Sequence, residues 1–385
     1  MNSNNSRRTA AYIIARWILT KDFPANLLPS GPDRAFVQDL VYTTLRRFRP
    51  LRKVLGELLK KWPKGEMEAL LYVGAAQILY MPDVPDFAAV NETVEAAKAC
   101  ENPSIAKVVN GVLRNLLRRR EEFEAMLAKA PVAERESFPG ELYRRWVARF
   151  GEEGAEKLAV WHNQPAETYL ARKDGSFVTL ERGVRVEEVE GYADGAFIVQ
   201  DPGTALAIAL LDPQPGESVL DACAAPGGKT VQIAWRGAKV TACEVNPKRR
   251  RKLEENLRRL KLEVAVEAEL PALDPDRRFA KVLVDAPCSN SGVLRRRPDA
   301  RWNWNVEKLA SLVKLQAEIL DACALRVAPG GRLVYSTCSN ETEENVAQVE
   351  AFLVRHPEFT LEESRESIPF ESGHDGAFAA ALRKA

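Results

Sequence analysis

Hydrophobic positions in the first third of the chain recur every three or four residues. Six segments have this helical spacing. Asp33 stands directly before one of them, where a helix N-cap is expected. The pattern predicts an all-α bundle over residues 1–125. The six segments are AAYIIARWIL, RAFVQDLVYTTLRRF, LRKVLGELLKKW, EALLYVGAAQILYM, AVNETVEAAKA and IAKVVNGVLRNLLRRR.

The pattern changes after this bundle. SFPGELYRRWVARFG predicts a short helix that begins after Pro139. ETYLARK, SFVTLER and VEEVEGYADGAFIV predict short strands with glycine between them. Residues 126–200 are therefore expected to form a connector and a small α+β subdomain, which we expect to bind RNA.

From residue 201 onward, short apolar strands alternate with amphipathic helices. This alternation predicts a parallel, doubly wound α/β sheet over residues 201–385. Ligands of such sheets bind beyond the carboxyl ends of the strands. The predicted strands are ESVLDACA, AKVTACEVN, LEVAVEAE, AKVLVDAPC and GRLVYSTC.

Composition agrees with two or three globular domains. The chain has 385 residues, of which 46% are hydrophobic and 28% are charged. Its apolar runs are too short for a membrane span, and MNSNNSRR lacks the apolar core of a signal peptide. We expect a cytoplasmic monomer with no membrane partner. None of the six cysteines forms a CxxC pair and only three histidines occur, so no metal site is expected.

Charge is distributed unevenly along the chain. Residues 1–120 hold 19 Lys and Arg against 11 Asp and Glu, a net charge of +8, whereas the whole chain carries +1. Basic residues cluster at Arg46, Arg47 and Arg49, and again from Arg114 to Arg120. A basic module of this kind favours a polyanionic partner, although a solvated helical surface has the same composition.

The segment DACAAPGGKT, Asp221–Thr230, follows the first predicted strand of the α/β sheet. Its glycines allow a ligand to approach the backbone, but it has neither the GxGxxG nor the P-loop spacing. Glu244 ends the next strand, where an acid can accept both hydroxyls of a ribose. Together they favour S-adenosylmethionine over a dinucleotide, the alternative being an ordinary turn and a solvated carboxylate.

Two further motifs place a cysteine at the end of a predicted strand, Cys288 in VDAPCSN and Cys338 in VYSTCSN. With DACAAPGGKT and in this order, the segments VDAPCSNSGVLRRRPDARW and LVYSTCSNETEEN resemble the RNA cytosine-5 methyltransferases of the Sun/NSUN group. RAFVQDLVYTTLRRF, AVNETVEAAK and KVVNGVLRNLLR resemble the NusB-like RNA-binding domain of its ribosomal RNA subgroup, the RsmB type. The resemblance covers nearly the whole chain. It implies a NusB-like bundle joined to a Rossmann-like methyltransferase domain, acting on small-subunit (16S) ribosomal RNA, which could belong to an assembling subunit.

The resemblance also implies roles for individual residues. Cys338 would be the nucleophile that adds to C6 of cytosine, and Cys288 would assist release of the product. Asp285 would face the amino edge of the base, and Lys229 would reach the base or its phosphate. The cofactor-binding residues would be Cys223, Ala224, Ala225, Pro226, Gly227, Gly228, Lys229, Glu244 and Asp285.

Three departures from the family pattern stand out. Asn290 replaces a frequent glycine, and ETEEN replaces a segment that often begins with proline. Neither change is expected to touch a thiol. The family usually has an aspartate at the end of the third strand, where VEAELPALD offers Glu267 or Glu269. We take Glu269 as the candidate cofactor contact.

The segment GVLRRRPDARWNW combines four arginines with two tryptophans beside the first cysteine motif. Arginine binds phosphates and tryptophan stacks on an unpaired base, although a charged surface loop has the same composition. The predicted RNA-binding residues are Arg295, Arg296, Arg297, Arg301, Trp302 and Arg114.

Other functions share parts of this pattern. A DNA cytosine-5 methyltransferase would use the Pro-Cys cysteine as its nucleophile, leaving Cys338 without a role. The substrate could also be transfer RNA or another RNA. A non-catalytic RNA-binding assembly factor would not require Cys288, Cys338, Asp285 and Lys229 together.

Overall fold

The computed structural model describes residues 5–100, 102, 104–181, 183–270 and 273–385. Residues 1–4, the first half of the segment MNSNNSRR in which no signal peptide was predicted, lie outside the described residues. The chain forms two compact units. Residues 1–164 and 297–303 form the helical unit, and residues 165–296 and 304–385 form the sheet unit. The expected connector 126–200 is thus divided between the two units.

In the helical unit, one helix is buried around most of its circumference. This helix, α4, is Glu66–Tyr80, and Gly74 on it faces α6 so closely that a Cβ would lie 2.5 Å from Leu113 Cδ1. Asn5 caps the first helix by accepting the backbone N–H of Arg7 at 2.9 Å. The helices are α1 Ser6–Thr20, α2 Arg34–Arg46, α3 Phe48–Leu58, α4, α5 Asp86–Lys98, α6 Ser104–Arg118, α7 Arg120–Ala128, α8 Val132–Arg135 and α9 Gly140–Asn163, which is kinked at Gly151.

The sheet unit contains two sheets. The smaller is antiparallel in the order β2-β1-β3, and the larger has seven strands in the order β6-β5-β4-β7-β8-β10-β9. The strands are β1 Thr168–Arg172, β2 Phe177–Leu180, β3 Phe197–Val199, β4 Ser218–Asp221, β5 Lys239–Cys243, β6 Ala265–Glu267, β7 Phe279–Asp285, β8 Val327–Thr337, β9 Phe359–Ser367 and β10 Ala377–Lys384. The helices are α10 Ala205–Leu211, α11 Gly228–Trp235, α12 Pro247–Arg259, α13 Val306–Ala324, α14 Val346–Arg355 and α15 Pro369–Ser372.

The core of this unit lies on both faces of the large sheet. Along β7, Val282 and Val284 pack on one face and Leu283 on the other, and all three are fully buried. Helices cover both faces, which explains the unbroken apolar runs of the central strands. Five strands, from β6 to β8, are parallel, whereas β10 is antiparallel to both of its neighbours. The prediction of an α/β sheet is confirmed, with an antiparallel edge added.

Among the helices that the structure describes, none is long and apolar enough to cross a membrane.

Candidate active site

Four motif residues gather at the carboxyl edge of the large sheet. Asp221 ends β4, Glu244 follows β5, Asp285 ends β7 and Cys338 follows β8. The parallel register places Asp285 directly opposite Ser336 of β8. Because all four strands run in the same direction, motifs far apart in the chain meet at one edge.

The two motif cysteines are in contact. Cys288 Sγ and Cys338 Sγ lie 3.3 Å apart, with Cys288 buried and Cys338 partly exposed. Backbone hydrogen bonds join their turns: Gly292 N donates to the Cys338 carbonyl at 3.0 Å. The sheet thus brings together two thiols that the sequence places in separate motifs.

Asn290 lies beside these thiols. Its backbone has a φ of +60°, a left-handed conformation that asparagine tolerates better than most residues. Its side chain donates to the Cys288 carbonyl at 2.9 Å and accepts a hydrogen bond from Cys338 Sγ at 3.3 Å. The expectation that this departure touches no thiol is therefore wrong, because the amide reaches across to the second cysteine.

The environment of Cys288 favours a neutral thiol. Its hydrogen bond with Cys338 and its burial raise the pKa of Cys288 well above its usual value, and the nearby charge of Glu344 adds to this effect. Free thiols ionise near pH 8.5, so a raised pKa leaves almost no thiolate on Cys288 at neutral pH.

Beside the thiols lies an ion pair. Lys229 Nζ is 2.7 Å from Asp285 Oδ2, and Ser336 Oγ donates to Asp285 Oδ1 at 2.8 Å. Burial opposes the charge on Lys229, but the carboxylate of Asp285 outweighs it, so the pKa of Lys229 lies above its usual value. The site therefore holds a fixed cation on α11 and a carboxylate at the end of β7, the strand that leads into the turn of Cys288.

The predicted glycine turn lies between β4 and α11 and packs against α12. Gly227 has a φ of +110°, a left-handed conformation that strains other residues, and a Cβ there would lie 2.8 Å from Leu253 Cδ1, so a larger residue would displace that leucine. Cys223, Ala224, Ala225 and Pro226 lead into it, and Gly228 begins α11.

Asp221, at the start of this turn, is fully buried. Its Oδ2 accepts from Thr230 Oγ1 at 2.6 Å, whereas its Oδ1 has no hydrogen-bond partner in the described parts of the chain. Burial raises the pKa of Asp221 to about 6, against the opposing hydrogen bond from Thr230. An unpartnered buried oxygen beside a glycine turn fits a polar ligand such as S-adenosylmethionine.

The neighbouring strand supplies the predicted acid. Glu244 is only 4% exposed, and its carboxylate accepts from Asn246 N at 2.9 Å and lies 3.6 Å from Arg249 Nε. Glu267 lies opposite Cys243 at the end of β6, whereas Glu269 lies exposed two residues further on. The structure thus places Glu267, rather than Glu269, beside the end of β5.

Two of the predicted RNA-binding arginines are held by buried acids. Arg296 lies 2.7 Å from Asp201 Oδ2, forms a second ion pair with Asp375, and donates to the Glu167 carbonyl at 2.7 Å. Arg295 is 3% exposed, with Asp375 4.0 Å away. Both guanidinium groups hold the sheet unit together locally.

The next seven residues, Arg297–Asn303, belong to the helical unit. Arg301 is fully buried, stacks on Phe138 at 3.9 Å and donates to Asn163 Oδ1 at 2.9 Å. Trp302 packs against the helical core and donates to the Leu45 carbonyl at 3.0 Å. Both side chains have partners within the helical unit. Their contact with RNA stays a prediction, and it would require these side chains to leave their present partners.

Of the two remaining arginines of the set, Arg114 is exposed and Arg297 is partly exposed. Arg114 is exposed on α6, with one bond to the Asn110 side chain. Arg297 lies 3.2 Å from Asp299 and 3.9 Å above the Phe23 ring. In the first basic cluster, Arg47 pairs with Glu136, and Arg49 donates to the carbonyls of Ala133 and Phe138. Most of this cluster is therefore structural.

Sequence reasoning missed Glu344, the fourth residue of ETEEN. It is fully buried, and its carboxylate accepts the backbone N–H of Ser289, next to Cys288, at 2.8 Å. The signal was its position: a carboxylate six residues beyond Cys338, in a segment already noted as a departure from the family pattern.

This sheet order, with its motif-bearing loops at one edge, defines a Rossmann-like methyltransferase domain. The chain belongs to the RsmB/F family: the model described as 16S rRNA methyltransferase RsmB/F matches residues 208–383, and the NusB family model matches residues 4–118. The recognised family and the NusB-like and Rossmann-like architecture are thereby confirmed.

Relatives match over the whole length. The chain is 34% identical to ribosomal RNA small subunit methyltransferase B of Vibrio cholerae over 99% of this chain and 98% of that protein. The Salmonella arizonae protein of the same name is also 34% identical, over 99% of each chain.

Solved structures show the same fold. The crystal structure of PH0851 matches with a TM-score of 0.79 at 22% identity, over 99% of this chain and 98% of that one. NSun6 from Pyrococcus horikoshii with SFG matches with a TM-score of 0.57 at 20% identity, over 64% of this chain and 98% of that one.

Proposed function

We propose that the chain is an S-adenosylmethionine-dependent RNA cytosine-5 methyltransferase acting on 16S ribosomal RNA in the cytoplasm. The observation that carries this proposal is the contact between Cys288 and Cys338, 3.3 Å apart, beside the Lys229–Asp285 ion pair. The names of the RsmB/F family and of the curated relatives supply the ribosomal substrate.

The chemistry explains why two thiols are needed. C5 of cytosine is too weak a nucleophile to accept a methyl group until a thiolate adds to C6. Cys338, the more exposed thiol, forms the C6–S bond, and C5 becomes enamine-like. S-adenosylmethionine, when bound, supplies the methyl group to C5. The C5 proton then passes to solvent, the electron pair of the C5–H bond re-forms the C5–C6 double bond, and the C6–S bond breaks so that Cys338 leaves as a thiolate. Cys288 assists this release as a neutral thiol that donates a hydrogen bond to the departing sulfur.

Two further residues orient the base. Asp285 faces the amino edge of cytosine and stabilises the protonated form of the base. One of its oxygens is bonded to Ser336 and the other to Lys229. Lys229 stays cationic because its pKa is raised, so it also attracts the phosphate of the flipped nucleotide.

The residues around the glycine turn fit the cofactor. Gly227 and Gly228 admit its approach, Asp221 offers an unpartnered oxygen, and Glu244 is placed to accept the ribose hydroxyls. Burial of Glu244 excludes water from that contact, which strengthens it.

The helical unit supplies RNA affinity in this proposal. On α6, Lys107, Arg114 and Arg118 recur at spacings of seven and four residues, so they share one helical face. Lys107 and Arg114 are exposed. A basic stripe of this kind binds phosphates without reading the sequence.

The experiment is methyl transfer by the purified full-length chain, with labelled S-adenosylmethionine and four substrates: 16S ribosomal RNA, small subunits, transfer RNA and DNA. We expect label in 16S ribosomal RNA or small subunits, and bisulfite sequencing should find one cytosine protected that is unprotected in a deletion strain. Labelling of DNA or transfer RNA alone would refute the assigned substrate. Absence of any transfer by protein that binds RNA would favour an assembly factor.

A further inference from the structure

Glu344 presents a buried charge without a cationic partner. Its side chain is fully buried, and no Lys, Arg or His in the described ranges forms an ion pair with it. Four neutral donors surround the carboxylate instead: Ser289 N at 2.8 Å, Ser289 Oγ at 2.5 Å, Gln316 Nε2 at 2.9 Å and the Ser339 hydroxyl. Buried carboxylates are usually paired with a cation, so this one needs an explanation.

The donors belong to both cysteine turns. Ser289 follows Cys288, and Ser339 follows Cys338. Gln316 also donates to the carbonyl of Pro287, the residue before Cys288, at 3.0 Å. One carboxylate therefore holds both turns, and with Gln316 it holds Cys288 from both sides.

The turn of Cys338 has a second anchor, Asn345, besides the bond from the Ser339 hydroxyl to Glu344. Asn345 accepts from Thr337 Oγ1 at 2.6 Å and donates to the Ser339 carbonyl at 2.9 Å, so the residues on both sides of Cys338 are bonded to a neutral amide. The peptide N–H next to Cys288 is bonded to a carboxylate, whereas the peptide N–H next to Cys338 is bonded to the Thr337 hydroxyl at 3.3 Å. The two thiols thus have unequal electrostatic surroundings.

We propose that Glu344 is a positioning residue that holds the two thiols in contact and makes their reactivities unequal, with Cys338 the more reactive thiol. A negative charge close to a buried thiol disfavours a second negative charge on its sulfur. The nearby Glu344 charge contributes to the raised pKa of Cys288, after the hydrogen bond with Cys338 and burial. The consequence for catalysis rests on the proposed function, but the consequence for thiol reactivity does not.

The test measures the alkylation rate of each cysteine in the full-length protein with iodoacetamide, from pH 6.5 to 9.5, by peptide mass spectrometry at less than one modification per molecule. In this reaction a thiolate displaces iodide and forms a thioether, and the thiol proton is lost to the buffer. In the unmodified protein we expect Cys338 to react at least about tenfold faster than Cys288 at pH 7.5. Equal rates, or a faster Cys288, would overturn the proposal without any variant.

The matched variants are Glu344→Gln, which preserves size and removes the charge, and Glu350→Gln, which removes an exposed carboxylate from α14. We expect Glu344→Gln to raise the Cys288 rate roughly tenfold and to shift its pH profile to lower pH, while the Cys338 rate changes by less than about threefold. Glu350→Gln should change neither rate. An equal rise in the alkylation rates of both cysteines would indicate that the two turns have become more accessible, and it would refute the electrostatic role.

Methyl transfer provides a separate readout. With RNA and S-adenosylmethionine, Glu344→Gln should lower kcat and leave KM for RNA unchanged, because it acts on the thiols and not on RNA contacts. If the unmodified protein transfers no methyl group, the proposed function fails, yet the alkylation result still decides the role of Glu344. An unchanged kcat together with a faster Cys288 would refute the catalytic part alone.

Discussion

Lys229 Nζ lies 2.7 Å from Oδ2 of Asp285, and Asp285 stands three residues before Cys288 in the chain. Lys229→Met preserves chain length and leaves the carboxylate without its cation. We expect kcat/KM for methyl transfer to fall roughly 10- to 150-fold, which corresponds to a loss of about 1.5–3 kcal/mol of transition-state stabilisation. Lys281→Met is the matched control, because Lys281 pairs with Glu217 at 2.8 Å elsewhere on β7. It should lower stability and leave kcat/KM unchanged.

The cofactor site predicts a binding defect. Glu244→Ala removes a carboxylate that is 4% exposed and placed to accept ribose hydroxyls. We expect the affinity for S-adenosylmethionine, measured by calorimetry, to fall by about 1–3 kcal/mol through lost charge-assisted hydrogen bonds. The exposed Glu263→Ala should bind normally. Unchanged affinity in Glu244→Ala would refute the assignment of this acid.

Asp221 predicts a pH dependence of stability in the ligand-free protein. Its pKa in the folded chain is about 6, above the usual 3.8, because burial favours the protonated form. The stability it contributes is therefore complete below about pH 4 and is lost as the pH rises through 6, by roughly 3 kcal/mol.

Urea unfolding of Asp221→Asn tests this dependence, because asparagine can still accept from Thr230. The variant should gain stability relative to the unmodified chain at pH 8 and gain little at pH 4. Asp276→Asn, at an exposed position, should change stability at neither pH. Equal gains by Asp221→Asn at both pH values would contradict burial of the charged carboxylate as the cause.

Sequence patterns predicted most of the fold, for physical reasons. Helical spacing is informative over residues 6–120 because each helix buries one stripe against α4. The last two strands along the chain, the edge strand β9 and its neighbour β10, escaped prediction. Along β9, FTLEESRES is exposed except at its two ends, so it lacks an apolar face. In β10, AFAAALRK has the composition of a helix, and only its pairing with β8 and β9 makes it a strand.

The site was predicted less evenly. The end of each parallel strand is fixed by topology, so Cys288, Cys338 and Asp285 could be placed together from motifs alone. Arg301 could not be placed, because its partners Ser137 and Asn163 lie more than a hundred residues away in the chain. A surface loop that binds RNA and a segment whose side chains pack inside a domain can have the same Arg- and Trp-rich composition. Only the tertiary packing distinguishes the two.

The basic stripe on α6 predicts a salt effect. RNA binding releases about 0.7–0.9 counterions for each phosphate contact. Lys107→Gln with Arg114→Gln should therefore reduce the slope of log affinity against log salt by about 1–2. Lys98→Gln with Lys157→Gln is the control, since Lys98 pairs with Glu95 and Lys157 with Glu153. The same slope in both double variants would exclude α6 from the RNA interface.

The two thiols predict different covalent states. If Cys338 adds to C6, Cys338→Ala should abolish methylation and form no covalent RNA complex. If Cys288 acts after methyl transfer, Cys288→Ala should still add and transfer, and then stall at release. Protein linked to methylated RNA should then accumulate on a denaturing gel.

Cys323→Ala is a control for this gel experiment, because Cys323 is buried in the core on α13, and it should behave like the unmodified chain. Both active-site variants should keep ordinary RNA affinity, because the phosphate contacts on α6 are untouched. The target base must leave its stack in either case, at a cost of a few kcal/mol. An adduct that persists in Cys338→Ala and is absent in Cys288→Ala would reverse the two roles and favour the arrangement of DNA methyltransferases. Such a reversal would also contradict the positioning role of Glu344, since that carboxylate holds Cys288 in its protonated form.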